Sequence, residues 1–196
     1  MFDAQLRRLV DPLLVAVAGA LARSGVSANA LTFAGLLVGL AGAVVIGLGA
    51  YGWGLAMIFG NRLLDGLDGA VARINGPTDI GGYYDIVADF VFYVSVPLAF
   101  GVGVAANLPY ALVLVASFIL TGVSFLAFAA IAARREAQSG KAIVYSTGLA
   151  EGGETILAFA AMCVFPGAFP VIASVFAGLC VATVFQRTLM AVRLFR

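Results

Sequence analysis

Six apolar stretches leave this chain few ways to fold. They run over about 30–50, 54–74, 79–104, 109–133, 151–166 and 170–192 of 196 residues. A helix needs about 20 residues, at 1.5 Å rise each, to cross a bilayer core. Five stretches are that long, and the fifth in order, 151–166, needs help from its neighbours. The chain is 63% hydrophobic and 11% charged, whereas soluble domains are about half apolar and about one quarter charged. The expected fold class is therefore all-α: a polytopic membrane protein with six transmembrane helices, forming a single domain over 1–196.

The charges give it an orientation. Arg7, Arg8 and Arg23 precede the first span, and Arg73 ends the second. Arg134, Arg135 and Lys141 follow the fourth, and Arg193 and Arg196 follow the sixth. The alternate breaks at 50–54, 105–109 and 166–170 hold no Lys or Arg. By the positive-inside rule both termini are cytoplasmic, and Arg62 and Arg187 fall in the cytoplasmic halves of their spans. Residues 1–22 read as an amphipathic interfacial helix rather than a signal peptide. Phe2, Leu6, Leu9, Leu13 and Val17 recur at spacings of three and four, with Asp3, Gln5, Arg7, Arg8 and Asp11 on other faces.

Several chemistries drop out. Net charge is +1, which gives no field for nucleic acid. There is no histidine, so the commonest acid/base residue and zinc ligand is missing. Cys163 and Cys180 lie in apolar runs and read as small buried hydrophobes.

Against that background, "LLDGLDGAVARINGPTDIGGYYDIVADF" (63–90) holds five of the seven aspartates. Asp65 and Asp68 are three apart and share a helix face. Asp85 and Asp89 are four apart and share another. "NGPT" reads as the turn that brings the pairs together. Each aspartate near a bilayer centre costs about 2.5–3.5 kcal/mol on insertion scales, and four together repel. Arg73 alone offsets too little. Oxygen-only ligands suit Mg²⁺ or Mn²⁺, or Ca²⁺, over zinc, and two carboxylate pairs fit two ions about 3.5–4 Å apart. Gly66, Gly69, Gly81 and Gly82 read either as ligand access or as small-residue helix packing. Asp79, at a helix start, reads as ordinary capping.

The stretch resembles the signature of the CDP-alcohol phosphotransferases, D-x2-D-G-x2-A-R-x8-G-x3-D-x3-D. Asp65, Asp68, Gly69, Ala72, Arg73, Gly81, Asp85 and Asp89 match in order. Seven residues separate Arg73 from Gly81, where the family has eight. "SANALT" (27–32) is similar to the family's P-N-x-x-T segment, with Ala28 in place of proline. The resemblance implies a six-helix membrane enzyme, often dimeric, that moves a substituted phosphate from a CDP-linked lipid donor such as CDP-diacylglycerol to a small alcohol and releases CMP. It implies metal at Asp65, Asp68 and Asp85, with Asp89 close by and acting as the base on the acceptor hydroxyl. Asn29, Thr32, Asp65, Gly69, Ala72, Arg73 and Gly81 would lie along the nucleotide. Asn29 and Thr32 fit a helix cap equally well, and Arg73 fits a membrane-edge anchor.

The acceptor side is less marked. Arg134 and Lys141 lie on the motif's side and read as acceptor contacts or as topogenic charges. Glu151 and Glu154 read as helix N-terminal acids or as acceptor contacts favouring a neutral or cationic alcohol, with Tyr145 and Ser146 as hydrogen-bonding neighbours. Two rivals exist. A small cation transporter or channel would use the same acids near the midplane. An Asp-rich intramembrane prenyltransferase would leave "DGLDGAVAR" unexplained. The short Ala/Gly-rich chain suggests a bacterial inner membrane, with the active site facing the cytoplasm.

Overall fold

The computed structural model describes residues 14–139 and 148–196. The expectations placed on Phe2, Asp3, Gln5, Leu6, Arg7, Arg8, Asp11, Leu13, Lys141, Tyr145 and Ser146 lie outside the described residues. Among those described, the regular structure is all helical: α1 (Leu14–Arg23), α2 (Ala28–Gly47), α3 (Tyr51–Asn75), α4 (Asp79–Gly103), α5 (Leu108–Ser139), α6 (Gly152–Val164) and α7 (Phe169–Phe195). Short 3-10 turns, Ala105–Asn107 and Pro166–Ala168, lead into α5 and follow α6. Helices satisfy every backbone group internally, which a lipid environment demands.

Four of these helices, α2, α4, α5 and α7, are long and apolar enough to cross a membrane. The α3 helix has the length, with 25 residues, but carries Arg62, Asp65, Asp68 and Arg73. The α6 helix has 13 residues, about 20 Å at 1.5 Å each.

Local chemistry sets the helix ends. Ser27 caps α2, its hydroxyl accepting from the Ala30 N–H at 3.2 Å. Asn29 and Thr32 are therefore not the cap. Gly76 turns the chain between α3 and α4 with φ 93°, a value open to glycine. Thr78 caps α4 by accepting from Gly81 N–H at 3.1 Å, and Asp79 follows as an acid in the first turn. The α5 helix runs past its expected end. "AFAAIAARREAQS" contains only residues that tolerate a helix, and no Gly or Pro interrupts it before Gly140. Arg134 and Arg135 are thus helical rather than in a loop. The Arg135 guanidinium donates to Leu194 O at 2.9 Å and Phe195 O at 2.6 Å, covering carbonyls that the end of α7 leaves open.

Two apolar clusters hold the bundle. The larger joins α2 to α7 through Ile46, Ile58, Phe92, Phe100, Phe118, Phe159, Phe169 and Phe176. Phe100 stacks on Phe169 at 4.8 Å between ring centres, and Phe118 meets Phe159 edge-on at 6.1 Å. Cys163 and Cys180 are free and buried. The smaller cluster seats α1 on α2 and α3 through Ala18, Leu31, Leu67, Ala70 and Val71. Outward faces carry Leu37, Trp53, Val102, Leu157, Val171 and Phe185, as a lipid-facing surface would.

Close backbone approach matters in such a bundle. A Cβ on Gly103 would sit 2.6 Å from the Gly47 carbonyl oxygen, and backbone cannot swing aside. Gly103→Ala should lower stability by about 1–3 kcal/mol, read as a lower melting temperature in detergent, while Gly167→Ala, which meets nothing within 4 Å, should melt like the parent.

Candidate active site

The α3–α4 hairpin places Asp65 and Asp68 opposite Asp85. One carboxylate oxygen from each lies within 4.8 Å of the others. Helical spacing does the work: residues three apart on α3 present both acids to α4, and the 76–78 turn sets the register between the helices. Asp68 is 6% exposed, and Thr32 Oγ1 on α2 donates to its Oδ2 at 2.6 Å. A buried carboxylate needs such a partner. Three converging carboxylates are a donor set that a hard divalent cation can use.

Asp89 points elsewhere. Its Oδ1 accepts from Arg62 at 2.8 Å. The same guanidinium lies 3.5 Å from Asp65 Oδ2. Its Nε donates to Asn61 Oδ1 at 2.8 Å, and Asn61 Nδ2 donates to Gly35 O at 2.8 Å. Its plane lies over Phe92 at 4.8 Å and Tyr93 at 5.5 Å. Gly39 makes room for this arrangement, since a Cβ there would press on Phe92 at 2.7 Å and on Asn61 at 3.1 Å. Arg62 is thus the cation inside the aspartate group. Arg73, expected to offset the acids, sits exposed in the last turn of α3. Sequence reading gave Arg62 only a topological place, although its position three before Asp65 was a usable signal.

The glycines separate by role. Gly66 faces Leu14 of α1, where a Cβ would come within 3.1 Å, so it serves helix packing and not ligand access. Gly69 has only the end of Arg73 near it, at 3.5 Å. Of the adjacent glycines at the start of α4, Gly81, which matches the motif's second glycine, is the constrained one. A Cβ there would lie 2.9 Å from Thr78 Oγ1 and 3.2 Å from Asn29 Oδ1, whereas Gly82 faces open space. Asn29 therefore meets the start of α4, and Thr32 meets Asp68. Ala72 lies one residue before Arg73 on the same α3 turn.

A cavity of about 880 Å³ opens beside the hairpin. Arg62, Asp65 and Asp89 of α3 and α4 line it, together with Glu151, Gly152 and Arg187. Arg187 of α7 is 6% exposed. Its NH1 donates to Thr121 O at 2.9 Å and Ser124 Oγ at 2.7 Å, and its Nε has no hydrogen-bond partner among the described residues. Glu151 Oε1 accepts from Gly148 N–H at 2.9 Å. Glu154 lies in the first turn of α6 outside the cavity lining, with Oε2 buried and without a hydrogen-bond partner among the described residues. Arg134 is exposed and does not line the cavity. The structure thus brings Glu151 to the cavity, leaves Arg134 and Glu154 off it, and adds Arg187.

A sequence model of the CDP-alcohol phosphatidyltransferase family matches residues 25–192. "Inner membrane protein YnjF" of Escherichia coli (strain K12) is 43% identical over 194 residues, covering 95% of this chain and 93% of that one. Among solved structures, the Mycobacterium tuberculosis phosphatidylinositol phosphate synthase (PgsA1) with CDP-DAG bound superposes with a TM-score of 0.69 at 25% identity. That match covers 90% of this chain and 92% of the synthase. The same synthase in complex with manganese and citrate gives a TM-score of 0.68 at 26% identity, covering 89% and 87%.

Proposed function

Because this chain belongs to the CDP-alcohol phosphatidyltransferase family, and is thus a phosphotransferase enzyme, we propose that it moves a phosphatidyl group from CDP-diacylglycerol to the hydroxyl of a small polar alcohol and releases CMP. The observation that carries the reading is the convergence of Asp65, Asp68 and Asp85 within 4.8 Å, next to a cavity that also touches Asp89. CDP-DAG in the similar synthase supports the donor.

The oxygen-only donors fit Mg²⁺ or Mn²⁺, and the manganese complex of that synthase supports a divalent ion. Such an ion, when bound, neutralises a diphosphate and stabilises charge that develops during transfer. The chain's own residues do the rest. Asn29, Thr32, Asp65, Gly69, Ala72, Arg73 and Gly81 line the nucleotide's place, with Gly69 leaving room for it. Asp89 takes the acceptor hydroxyl proton. The acceptor oxygen bonds to the phosphorus nearer the lipid, the bond from that phosphorus to the bridging oxygen breaks, and CMP leaves. The acceptor occupies the cavity that Asp89, Glu151 and Arg187 line.

In the membrane, α2 to α7 cross, α1 lies along the surface, and the hairpin 63–90 faces the cytoplasm of a bacterial inner membrane. Support comes from the relative named an inner membrane protein and from Arg135 holding the end of α7. That contact puts the C-termini of α5 and α7 at one end of the bundle. The whole chain acts as one domain and pairs as a homodimer, which crosslinking in membranes would test.

The test is CMP release from CDP-diacylglycerol with Mg²⁺ or Mn²⁺. Glycerol 3-phosphate, serine, inositol, inositol phosphate and choline are supplied in turn. CMP formed with one acceptor establishes the reaction and names the alcohol. Metal binding without nucleotide binding would instead favour a cation carrier. A related expectation concerns Thr32. Removing a partner that orients a metal ligand typically costs about 10–100-fold in metal affinity. Thr32→Val should weaken Mn²⁺ binding to that extent, measured by titration of the purified protein.

A further inference from the structure

Residues 148–151 lead into α6 and bring Glu151 to the cavity. Backbone N–H groups in such a segment need partners once they leave water. Those of Gly148, Leu149 and Ala150 find no backbone carbonyl among the described residues. Gly148 N–H donates to Glu151 Oε1 at 2.9 Å. Leu149 and Ala150 N–H both donate to Thr183 Oγ1, at 3.1 and 3.0 Å. Two side chains therefore set the path of this segment, and one of them stands on α7.

Every bonding position of Thr183 is committed. The residue is 0% exposed. Its hydroxyl donates to Leu179 O at 2.9 Å, so its one proton and both lone pairs are used. Gly148 fits closely against it. A Cβ there would meet Thr183 Cγ2 at 2.5 Å and Arg187 NH2 at 3.4 Å. Thr183 and Arg187, four apart, share one face of α7 and meet the segment together. Glu151, Gly152, Thr155 and Arg187 line the cavity beside that contact.

We propose that Thr183 is a positioning residue for the acceptor: its hydroxyl holds 148–151 so that Glu151 and the start of α6 meet the bound alcohol. The inference rests on the reading of the cavity as the acceptor's place. The full-length protein in detergent is assayed for CMP release with Mn²⁺, at varied CDP-diacylglycerol and at varied concentration of the acceptor that the parent uses. Thr183→Val keeps the shape and removes the oxygen. It should raise the acceptor KM at least tenfold, toward the ~10²-fold that a 1 Å misplacement can cost, with kcat and the donor KM unchanged. That split marks lost binding rather than lost chemistry. Thr183→Ser restores the oxygen and should return the acceptor KM close to the parental value. Thr188→Val, which removes an exposed hydroxyl bonded to Val184 O of its own helix, should behave as the parent. Hydrogen exchange, read without substrate, should quicken at Leu149 and Ala150 in Thr183→Val. An unchanged acceptor KM, a donor KM that rises in step, no rescue by serine, or unchanged exchange would each overturn the proposal. If Thr183→Val does not fold, Gly148→Ala, which pushes the segment off Thr183, enters the same assay and should give the same split. Glu151→Gln separates the two possible failures. An acceptor KM that moves in Glu151→Gln but not in Thr183→Val removes only this inference. One that moves in neither removes the acceptor from this part of the cavity. A parent that releases no CMP with any acceptor removes the transferase reading, and this inference with it.

Discussion

Asp85→Ala should reduce CMP formation at least about 10³-fold, and a molar excess of EDTA should do the same to the parent protein. Losing a single oxyanion-hole donor costs about 10²–10³ in rate, and a divalent ion carries more charge than one donor. Asp85 is the carboxylate that α4 contributes to the group, while Asp65 and Asp68 both stand on α3. Without it the remaining pair comes from one helix face, and the hairpin no longer grips an ion from two sides. The two treatments should separate on adding metal back. EDTA-treated parent should recover with Mg²⁺ or Mn²⁺, and Asp85→Ala should not.

A second readout guards against mere misfolding. In the metal-free protein, Asp65, Asp68 and Asp85 repel one another at close range, because like charges in a partly dry site are screened poorly. Removing one relieves that repulsion. Metal-free Asp85→Asn should therefore melt above the metal-free parent, and the order should reverse when Mn²⁺ is present, since ligand binding stabilises only the protein that binds it. An Asp85→Asn protein with more than about one tenth of parental activity, on the scale of ordinary catalytic contributions, would remove Asp85 from the metal set.

What could be read from the chain before its structure divides along a physical line. Asp65, Asp68, Asp85 and Asp89 were legible because their pairing depends on helical spacing and one short turn, both local properties. The fit of Gly81 rather than Gly82 was legible only as a motif position. Its reason is the Thr78 cap just before it, at 2.9 Å from a Cβ, together with a contact with Asn29, about fifty residues earlier in the chain. Arg187 looked like a boundary charge because its partners, Thr121 and Ser124, lie 66 and 63 residues away. No periodicity on α7 reports what α5 will present to it. Arg134 failed for the opposite reason: its loop position followed from assuming that a helix ends where its apolar face ends, and the polar helix formers after it continued the turn. Arg62 sits between these cases. Its pairing with Asp65 is local, but the contacts that hold it, Asp89, Phe92 and Tyr93, come from α4.

Asp89→Asn should lower CMP formation by about 10²–10⁴-fold, the usual contribution of a positioned general base, with the Mn²⁺ count per chain unchanged. Asparagine matches aspartate in shape and still offers one oxygen to Arg62 NH2, which now meets Asp89 at 2.8 Å. The ion pair becomes a plain hydrogen bond, and the fold should survive. What is lost is the charge and the proton affinity that an acceptor hydroxyl needs. Asp89→Ala differs in a way that separates structure from chemistry. It leaves the guanidinium without its nearest partner in a site where the side chain is 18% exposed. Breaking a fully buried pair from one side costs about 3–5 kcal/mol, and residual exposure and the Asp65 contact should hold the penalty below that range. Asp89→Ala should therefore melt lower than Asp89→Asn although both are inactive. Equal activity loss with unequal stability would place the role of Asp89 in the reaction. An Asp89→Asn protein that still turned over near the parental rate would mean that the acceptor proton leaves by another group on the cavity wall, with Glu151, the carboxylate lining it outside the aspartate group, the next residue to replace.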